Sequence, residues 1–193
     1  MKGINIFLAD GFEDMEALGT CDVLRRGGLQ VNLVSITDAP FVTSSHSVTV
    51  GAEYCIEDLD LDSDGTTARD VMIFPGGMPG SKGLAACTPL MKAMKEHYAA
   101  GGTVAAICAA PGLVLSKLDN LEGVLVTCFD GFQQPLIDKG AIFTPRPAIR
   151  HGRIITGRSA GHAVSFGLEI LAAVAPDKVE ETRKSLYLWT VSE

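Results

Sequence analysis

Short apolar runs alternate along this chain with segments in which apolar residues recur at helical spacing. The runs are rich in β-branched residues and end at glycine, proline or polar residues, which predicts buried strands. The predicted strands cover residues 4–9, 30–36, 70–74, 103–107 and 124–127. The helical pattern predicts helices over 14–26, 88–100, 111–118 and 160–174, with a last helix opening at Pro176. Thr88 is the expected N-cap of the second of these, with Pro89 at its first position.

Two further segments contain shorter strands. Residues 48–50 and 53–56 are predicted to form short strands or a hairpin, and residues 148–155 a hairpin that turns at His151–Gly152. Alternation of strands and helices indicates βαβ units with right-handed crossovers. The expected fold is therefore a flavodoxin-like three-layer α/β/α sandwich around a mostly parallel, doubly wound sheet. No linker or repeat interrupts the pattern, so residues 1–193 are predicted to form a single domain.

Composition narrows the function classes. The chain of 193 residues has a net charge of −7, which argues against general nucleic-acid binding because that requires a basic face. The apolar start is too short for a secretion signal and no window approaches a membrane span, so a cytoplasmic protein is expected. The five cysteines are widely spaced without a C-x-x-C pair, which fits a reducing compartment better than a disulfide framework or a zinc knuckle.

Cys108 is the first candidate for chemistry. It ends the apolar run 103–107 and precedes Pro111, so it is expected on a tight strand-to-helix turn with Ala106 and Ala110 as small neighbours. Such a turn is the nucleophile elbow of hydrolases. A thiol at a helix N-terminus is expected to be acidified by the amide N–H groups and the helix dipole. The alternative is a buried, inert cysteine.

Two other strand ends carry residues that suit the same site. Glu16 follows the first strand, and a carboxyl beside a thiolate in a dry pocket would have a raised pKa and could relay a proton. Gly76 and Gly77 follow the 70–74 strand, and their N–H groups, with that of Ala109, could form an oxyanion hole. The alternatives are a solvated acid in a first helical turn and a glycine turn that needs positive φ.

The histidines and one acidic loop are weaker candidates. His97 and His151 are expected on the surface, whereas His46 and His162 could border a pocket. The loop 60–65 resembles the start of a calcium-binding loop, but Val71 stands where the bidentate glutamate is needed. We therefore expect a solvated acidic loop with at most adventitious cation binding. Ser159 is expected to cap the helix that starts at residue 160.

Five motifs together show a resemblance to a known family. They are ADGFEDME at 9–16, DVLRR at 22–26, FPGG at 74–77, AAICAAP at 105–111 and ITGRSAG at 155–161. In this order and at these separations they resemble the ThiJ/PfpI superfamily, in particular its branch around the Parkinson-disease-linked protein. The resemblance covers nearly the full length. It implies a fold like that of class I glutamine amidotransferases.

The resemblance also assigns roles to residues. It implies that Cys108 is the reactive elbow cysteine, that Glu16 hydrogen-bonds it, and that the backbone of Gly76 and Gly77 lines the same pocket. It further implies a homodimer with the first helix in the contact, for which Met15, Leu18 and Val23 are candidates unless they belong to the core.

This chain departs from the family pattern at several positions. Cys128 stands where the disease-linked member has a histidine, which argues against a histidine-assisted relay and offers a second thiol that could form a disulfide with Cys108 or be oxidised itself. His46 replaces an arginine that borders the pocket, while Arg26 is retained. Ala109 stands where the protease-like branch has histidine, which makes peptidase chemistry unlikely for this chain.

Three hypotheses follow for the function. The first is an enzyme that acts on reactive carbonyls through Cys108 and Glu16, as the glyoxalase and deglycase activities of the family imply, without a metal or organic cofactor. The second is a redox sensor or stress chaperone in which Cys108 is oxidised. The third is a structural domain with an inert thiol. The expected partners are a small carbonyl substrate or oxidant and a second copy of the chain.

Overall fold

The computed structural model describes residues 1–188, and within them the secondary structure follows the predicted alternation. The strands are β1 Ile4–Leu8, β2 Val31–Ser35, β3 Phe41–Thr43, β4 Thr49–Gly51, β5 Tyr54–Cys55, β6 Val71–Phe74, β7 Thr103–Ile107, β8 Leu125–Val126, β9 Ile142–Phe143, β10 Ala148–His151 and β11 Ile154–Gly157. The helices are α1 Thr20–Arg26, α2 Met78–Ala86, α3 Thr88–Ala99, α4 Ala110–Leu113, α5 Gln134–Ile137, α6 Ala163–Val174 and α7 Val179–Ser185. A π-helical turn, Met15–Gly19, precedes α1.

The main sheet has seven strands in the order β10-β11-β7-β6-β1-β2-β5. All neighbours in it are parallel except β10 and β11, which form the hairpin predicted at 148–155. The chain winds outward from β1 to β2 and β5, then returns to β6 and continues to β7 and β11 on the other side. The topological switch point therefore lies between β1 and β6, and in such folds ligands bind beyond the carboxyl ends of the strands there.

The two faces of the sheet are covered by different helices, as the flavodoxin-like prediction requires. Alternate strand residues such as Phe74 and Ala106 pack in one core cluster with residues of α2, α3 and α4. Their neighbours Ile73 and Ile107 pack in a second cluster with α1 and α6. The central strands β1, β6, β7 and β11 are therefore buried on both sides, which explains why such strands read as continuous apolar runs. The predicted three-layer α/β/α sandwich is confirmed.

The short strands predicted within 48–56 and the strand predicted at 124–127 are present, but their pairing and two helix predictions differ from the expectation. Strand β4 pairs with β3 as a separate two-stranded sheet, whereas β5 joins β2 in the main sheet, so residues 48–56 do not form one hairpin. The strand predicted at 124–127 pairs only with β9, in a third small sheet. Helix α3 begins at Thr88, with Cys87 in the cap position and without a side-chain capping bond. The helix predicted at 111–118 divides into α4 and a 3₁₀ turn, Leu115–Lys117.

Helix α2 was not predicted from the sequence. Its segment contains Pro79, Gly80 and Gly83, residues with low helix propensity. The structure explains their presence, because a Cβ at Gly80 would lie 2.7 Å from the backbone nitrogen of Phe12. The glycine lets the helix approach the loop after β1, so tertiary packing outweighs the local preference.

His97 is buried in the core and not on the surface, contrary to the sequence prediction. Its Nε2 lies 3.1 Å from the carbonyl oxygen of Asp70 and 3.1 Å from that of Thr103, so one ring nitrogen links α3 to the starts of β6 and β7. A Cβ at Gly102 would collide with the ring. Nδ1 has no hydrogen-bond partner within residues 1–188, and burial lowers the pKa of His97. The imidazole is therefore held neutral.

This arrangement predicts a pH-dependent stability. In the unfolded chain the imidazole titrates near about 6.5, and below that pH the unfolded state binds the proton more readily than the native state. The contribution of His97 to the free energy of unfolding therefore falls as the pH is lowered from about 6.5. His97→Leu should lower the free energy of unfolding by about 1–3 kcal/mol at pH 7.5 because the two carbonyls lose their donor. It should also remove this part of the pH slope.

Urea unfolding of both proteins at several pH values between 5 and 8 measures the effect. The difference between wild type and variant isolates His97 from the other titrating groups. A difference that stays constant over this range would contradict the assignment of a neutral, buried imidazole.

Candidate active site

Three segments meet at the carboxyl edge of the sheet, next to the switch point. Strand β6 lies between β1 and β7, so the residues that follow these three strands are brought together. Glu16 comes from the turn after β1, Gly76 and Gly77 from the turn after β6, and Cys108 is the first residue after β7. The structure thus brings together the residues that the sequence singled out.

Cys108 occupies a strained turn. Its φ of 66° lies in the left-handed region, which costs a residue with a side chain about 1–2 kcal/mol. Two backbone hydrogen bonds hold it there: Cys108 N donates to the carbonyl oxygen of Gly157 at 3.0 Å, and Phe129 N donates to the Cys108 oxygen at 2.8 Å. The side chain is partly exposed. This is the geometry of a nucleophile elbow, with the sulfur presented at the sheet edge.

Glu16 lies in the π-helical turn and is almost completely buried. Its Oε2 accepts a hydrogen bond from Gly76 N at 2.7 Å, and its own N–H donates to Glu13 Oε2 at 2.8 Å. The Glu16 carboxyl also hydrogen-bonds the Cys108 thiol. Its second oxygen, Oε1, is buried and has no partner among the described residues. An ionised carboxylate in this place would be poorly compensated, so the environment favours the protonated acid.

Gly76 and Gly77 are required by close approach. A Cβ at Gly76 would collide with the Glu16 carboxyl and lie 2.6 Å from the Cβ of Cys108. Gly77 has a φ of 86°, and a Cβ there would collide with the backbone oxygen of Gly11. The N–H groups of Gly77 and Ala109 hydrogen-bond the sulfur of Cys108. The N–H groups of Gly77 and Ala109 therefore serve the sulfur, whereas the N–H group of Gly76 serves the Glu16 carboxyl.

The protonation of the pair agrees with the sequence prediction for Glu16 and differs from it for Cys108. Burial, with the nearby Glu13 charge as a smaller cause, raises the pKa of Glu16 to about 7. Burial, followed by the charge and the hydrogen bond of Glu16, raises the pKa of Cys108 to about 12. The expected acidification of the thiol was wrong, since α4 has only four residues and the N–H groups of Gly77 and Ala109 lower the pKa by less than burial raises it.

The two groups are best described as one titrating pair. Below pH 7 the pair holds two protons, and above it a single proton is shared between carboxylate and thiol. A thiolate forms at neutral pH when that proton resides on Glu16, where the neutral acid donates a hydrogen bond to the sulfur. The site can therefore change between two states without exchanging a proton with solvent. In one state a thiol lies beside a carboxylate, and in the other a thiolate lies beside a carboxylic acid.

His46 and His162 lie near this site without contacting Cys108. His46 Nδ1 is 2.6 Å from Asp14 Oδ2, and this partner raises the pKa of the exposed imidazole. The His162 Nδ1 is 3.2 Å from Ser159 Oγ. Ser159 therefore occupies the predicted N-cap position, but its side chain contacts the imidazole and makes no capping bond to the backbone. Neither histidine is among the residues that line a nearby, mostly apolar cavity of about 380 Å³, although Asp14, the partner of His46, and Gly161, the neighbour of His162 in the chain, line it with Met15, Leu18 and Val164.

Two candidates from the sequence do not belong to the site. Arg26 ends α1, which runs from the carboxyl edge back to the amino edge of the sheet, and it pairs with Asp22 at 2.6 Å. Cys128 is fully buried in the core cluster that contains Ala106, whereas Cys108 packs against the opposite cluster with Ile107. All five cysteines are within the described residues and are free. The structure therefore contains no Cys108–Cys128 disulfide.

One group of residues near the site has the composition of a metal ligand set. Donor atoms of Glu13, Asp14 and His46 lie within 4.8 Å of one another. Each already has a protein partner, because Glu13 accepts the Glu16 N–H and Asp14 pairs with His46. We therefore assign no metal to it. This arrangement could not be predicted from the sequence, because the turn between β3 and β4 brings His46 to Asp14.

Comparison with known proteins agrees with this geometry. The family model described as the DJ-1/PfpI family matches residues 2–173. The chain belongs to the DJ-1/PfpI family. Protein dj-1beta of Drosophila melanogaster is 30% identical over 186 residues, 96% of either chain. The glutathione-independent glyoxalase DJR-1.2 of Caenorhabditis elegans is 30% identical over 177 residues, 91% of this chain and 90% of that one.

Other relatives show the same fold in different contexts. DJ-1 homolog B of Arabidopsis thaliana is 34% identical over 170 residues, but the match spans 88% of this chain and only 37% of that protein. The crystal structure of Drosophila DJ-1beta superposes with a TM-score of 0.85 at 26% identity and covers 98% of this chain and 99% of that one. None of the helices within residues 1–188 has the length and apolarity needed to cross a membrane.

The shared proton predicts an unusual pH dependence for alkylation of Cys108. The rate should rise through pH 7, as the first proton leaves the pair, and then level off, because the thiolate fraction is fixed by the balance between sulfur and carboxyl. In Glu16→Gln the levelling should disappear, since the thiol then titrates alone in a single continuous rise.

Iodoacetamide labelling followed by peptide mass spectrometry measures the profile, with the partly exposed Cys87 as an internal reference. Identical single-step profiles in both proteins would show that Glu16 and Cys108 do not share a proton.

Proposed function

We propose that the protein is a cofactor-independent enzyme that converts 2-oxoaldehydes to 2-hydroxy acids through Cys108 and Glu16. The observation that supports this most directly is the pairing of a partly exposed thiol with a buried carboxyl whose pKa is raised to about 7. A general acid–base group works best when its pKa lies near the working pH. The N–H groups of Gly77 and Ala109 are placed to stabilise negative charge on the sulfur or on an oxygen bound next to it.

The proposed reaction has three steps in which atoms balance. The Cys108 sulfur attacks the aldehyde carbon of R–CO–CHO, and the proton of the pair moves to the new alkoxide, giving a hemithioacetal. The Glu16 carboxylate then removes the C–H proton of that carbon while the hydroxyl proton passes to the neighbouring ketone oxygen, which gives an enediolate. Glu16 returns its proton to the neighbouring carbon, which leaves the Cys108 thioester of R–CHOH–CO. Water hydrolyses the thioester to R–CHOH–COOH and restores the thiol and carboxyl.

Family membership supports this class of chemistry. A relative over most of this chain is named a glutathione-independent glyoxalase, which is the reaction just described with methylglyoxal as substrate. A deglycase-type activity would release 2-oxoaldehydes from their adducts with thiols or amines. It would use Cys108 and Glu16 in the same way once the carbonyl compound has been transferred to Cys108. The free state of all five cysteines fits a cytoplasmic location, which we include in the proposal.

The test is turnover of methylglyoxal. Purified wild-type protein should form lactate, Cys108→Ser should form none above the uncatalysed rate, and Glu16→Gln should lose about 100-fold or more in kcat/KM because the proton relay is gone. Cys87→Ser serves as the matched control, since Cys87 is also partly exposed but lies at the start of α3. Lactate formation at equal rates in wild type and Cys108→Ser would rule out the proposal.

A redox role for the same sulfur is the second candidate. The partly exposed thiol, two N–H donors and an acid that can hold a proton would also stabilise a sulfenate or sulfinate on Cys108. Absence of lactate, combined with peroxide oxidation confined to Cys108 in intact-mass and peptide analysis, would favour this function over the enzymatic one.

We also propose that the protein is a homodimer that associates through the apolar cavity beside the π-helical turn. Met15 is 58% exposed and Leu18 lines the cavity with Gly161 and Val164. Val23, the third candidate from the sequence, is fully buried in the core and is excluded from this face. An exposed apolar surface of this kind is stabilised when a second copy covers it.

Substitution of Met15 tests the interface. Wild type is expected to sediment as a dimer, and Met15→Glu should shift it to the monomer because a carboxylate would be buried in the contact. Ile142→Glu places the same charge at another exposed apolar position, on β9, and should leave the dimer intact. A monomeric wild type, or equal behaviour of both variants, would contradict this interface.

A further inference from the structure

Two large apolar side chains are exposed next to Cys108. Met78 directly follows Gly77, whose N–H group hydrogen-bonds the Cys108 sulfur, and its side chain is 42% exposed. Phe129 donates its N–H group to the carbonyl oxygen of Cys108 at 2.8 Å, and its side chain is 47% exposed. Single exposed apolar residues are common on protein surfaces. Here, however, both side chains belong to segments whose backbone N–H groups hydrogen-bond Cys108, so both lie close to the thiol.

The topology places these side chains on opposite sides of the thiol. Met78 starts α2 immediately after β6, which flanks β7 on one side. The segment that contains Phe129 lies on the other side, over β11, because Thr127 N donates to Thr156 Oγ1 at 2.9 Å. Met78 and Phe129 therefore flank Cys108 from its two neighbouring strands, and we call the surface between them, which includes Cys108, the Met78–Phe129 cleft.

The Phe129 side of the cleft is fixed in place by several contacts. Asp130 forms an ion pair with Arg158 at 2.7 Å, and the Phe129 ring meets the Phe132 ring edge-on at a centroid distance of 6.4 Å. The backbone of Phe132 approaches α4 so closely that a Cβ at Gly112 would collide with it. A wall held in this way loses little conformational entropy when a ligand binds against it.

We propose that the Met78–Phe129 cleft binds the apolar substituent of the substrate, so that the enzyme prefers 2-oxoaldehydes with alkyl chains longer than methyl. This inference rests on the proposed function. In the hemithioacetal the oxygens are directed to Glu16 and to the N–H groups of Gly77 and Ala109, which occupy the polar side of the sulfur. The substituent R must then extend away from these groups, toward the apolar walls.

The preference is measured as the ratio of kcat/KM for 2-oxohexanal to that for methylglyoxal, two substrates with similar electrophilic carbons. Wild type should favour the butyl compound by about 10-fold or more, as expected for added methylenes in an apolar site. Phe129→Ala should reduce this ratio by about 10-fold, Met78→Ala should reduce it in the same direction, and Phe129→Leu should largely retain it. Phe41→Ala removes an exposed aromatic ring from β3 and should leave the ratio unchanged.

A second measurement does not depend on turnover. The rate of Cys108 alkylation by N-butyl iodoacetamide relative to iodoacetamide should also fall in Phe129→Ala and not in Phe41→Ala. If neither aldehyde is turned over but this alkylation ratio falls, the proposed function is wrong and the apolar subsite stands. If both ratios are the same in wild type and Phe129→Ala, the inference is overturned, whether or not lactate is formed.

Discussion

The close approach of three strand ends at Gly76 is the constraint on which the site depends. The Gly76 position has no room for a Cβ, because an added carbon would meet both the Glu16 carboxyl and the Cys108 side chain. The N–H group of Gly76 holds Glu16 at 2.7 Å, and Glu13 N returns a bond to the Gly76 oxygen at 3.0 Å. The turn after β6 thus fixes the distance between an acid from one strand end and a thiol from another.

This packing also explains why the resting thiol is not acidic. Removal of the sulfur and the carboxyl from water disfavours charge on both, and each group disfavours charge on the other. The environment stabilises one shared proton, and the strained backbone of Cys108 keeps the sulfur where that proton can reach it. A reactive thiolate then exists only together with a neutral Glu16, so nucleophile and acid become available in the same step and reactivity toward unrelated electrophiles stays limited.

The sequence predicted the elements and the meeting of the site residues because both depend on strong local signals. Buried strands, the residues that follow them and a cysteine before Pro111 can all be located by pattern, and the parallel order of strands brings their carboxyl ends together. The protonation state could not be predicted, since it depends on burial and on the length of α4. His97 was misplaced because its polar neighbours, Lys95 and Glu96, suggested an exposed face. The burial of Cys128 and the remote position of Arg26 likewise depend on packing and on helix direction.

The location of the four histidines limits the chemistry that the site can perform. His97 and His151 lie at the amino edge of the sheet, His46 is paired with Asp14, and His162 contacts Ser159. Glu16 is the titratable side chain that hydrogen-bonds the Cys108 sulfur and perturbs its pKa through charge.

Peptide cleavage requires one group to take the proton of the nucleophile and then deliver it to an amine leaving group, the role of the histidine in the serine-protease triad, and no histidine among the described residues contributes to the pKa of Cys108. The isomerisation of a 2-oxoaldehyde requires only an internal proton shift between neighbouring carbons, with no leaving group before the final hydrolysis. A site with one thiol, one shared proton and fixed N–H donors is therefore better matched to this reaction than to peptide or amide cleavage.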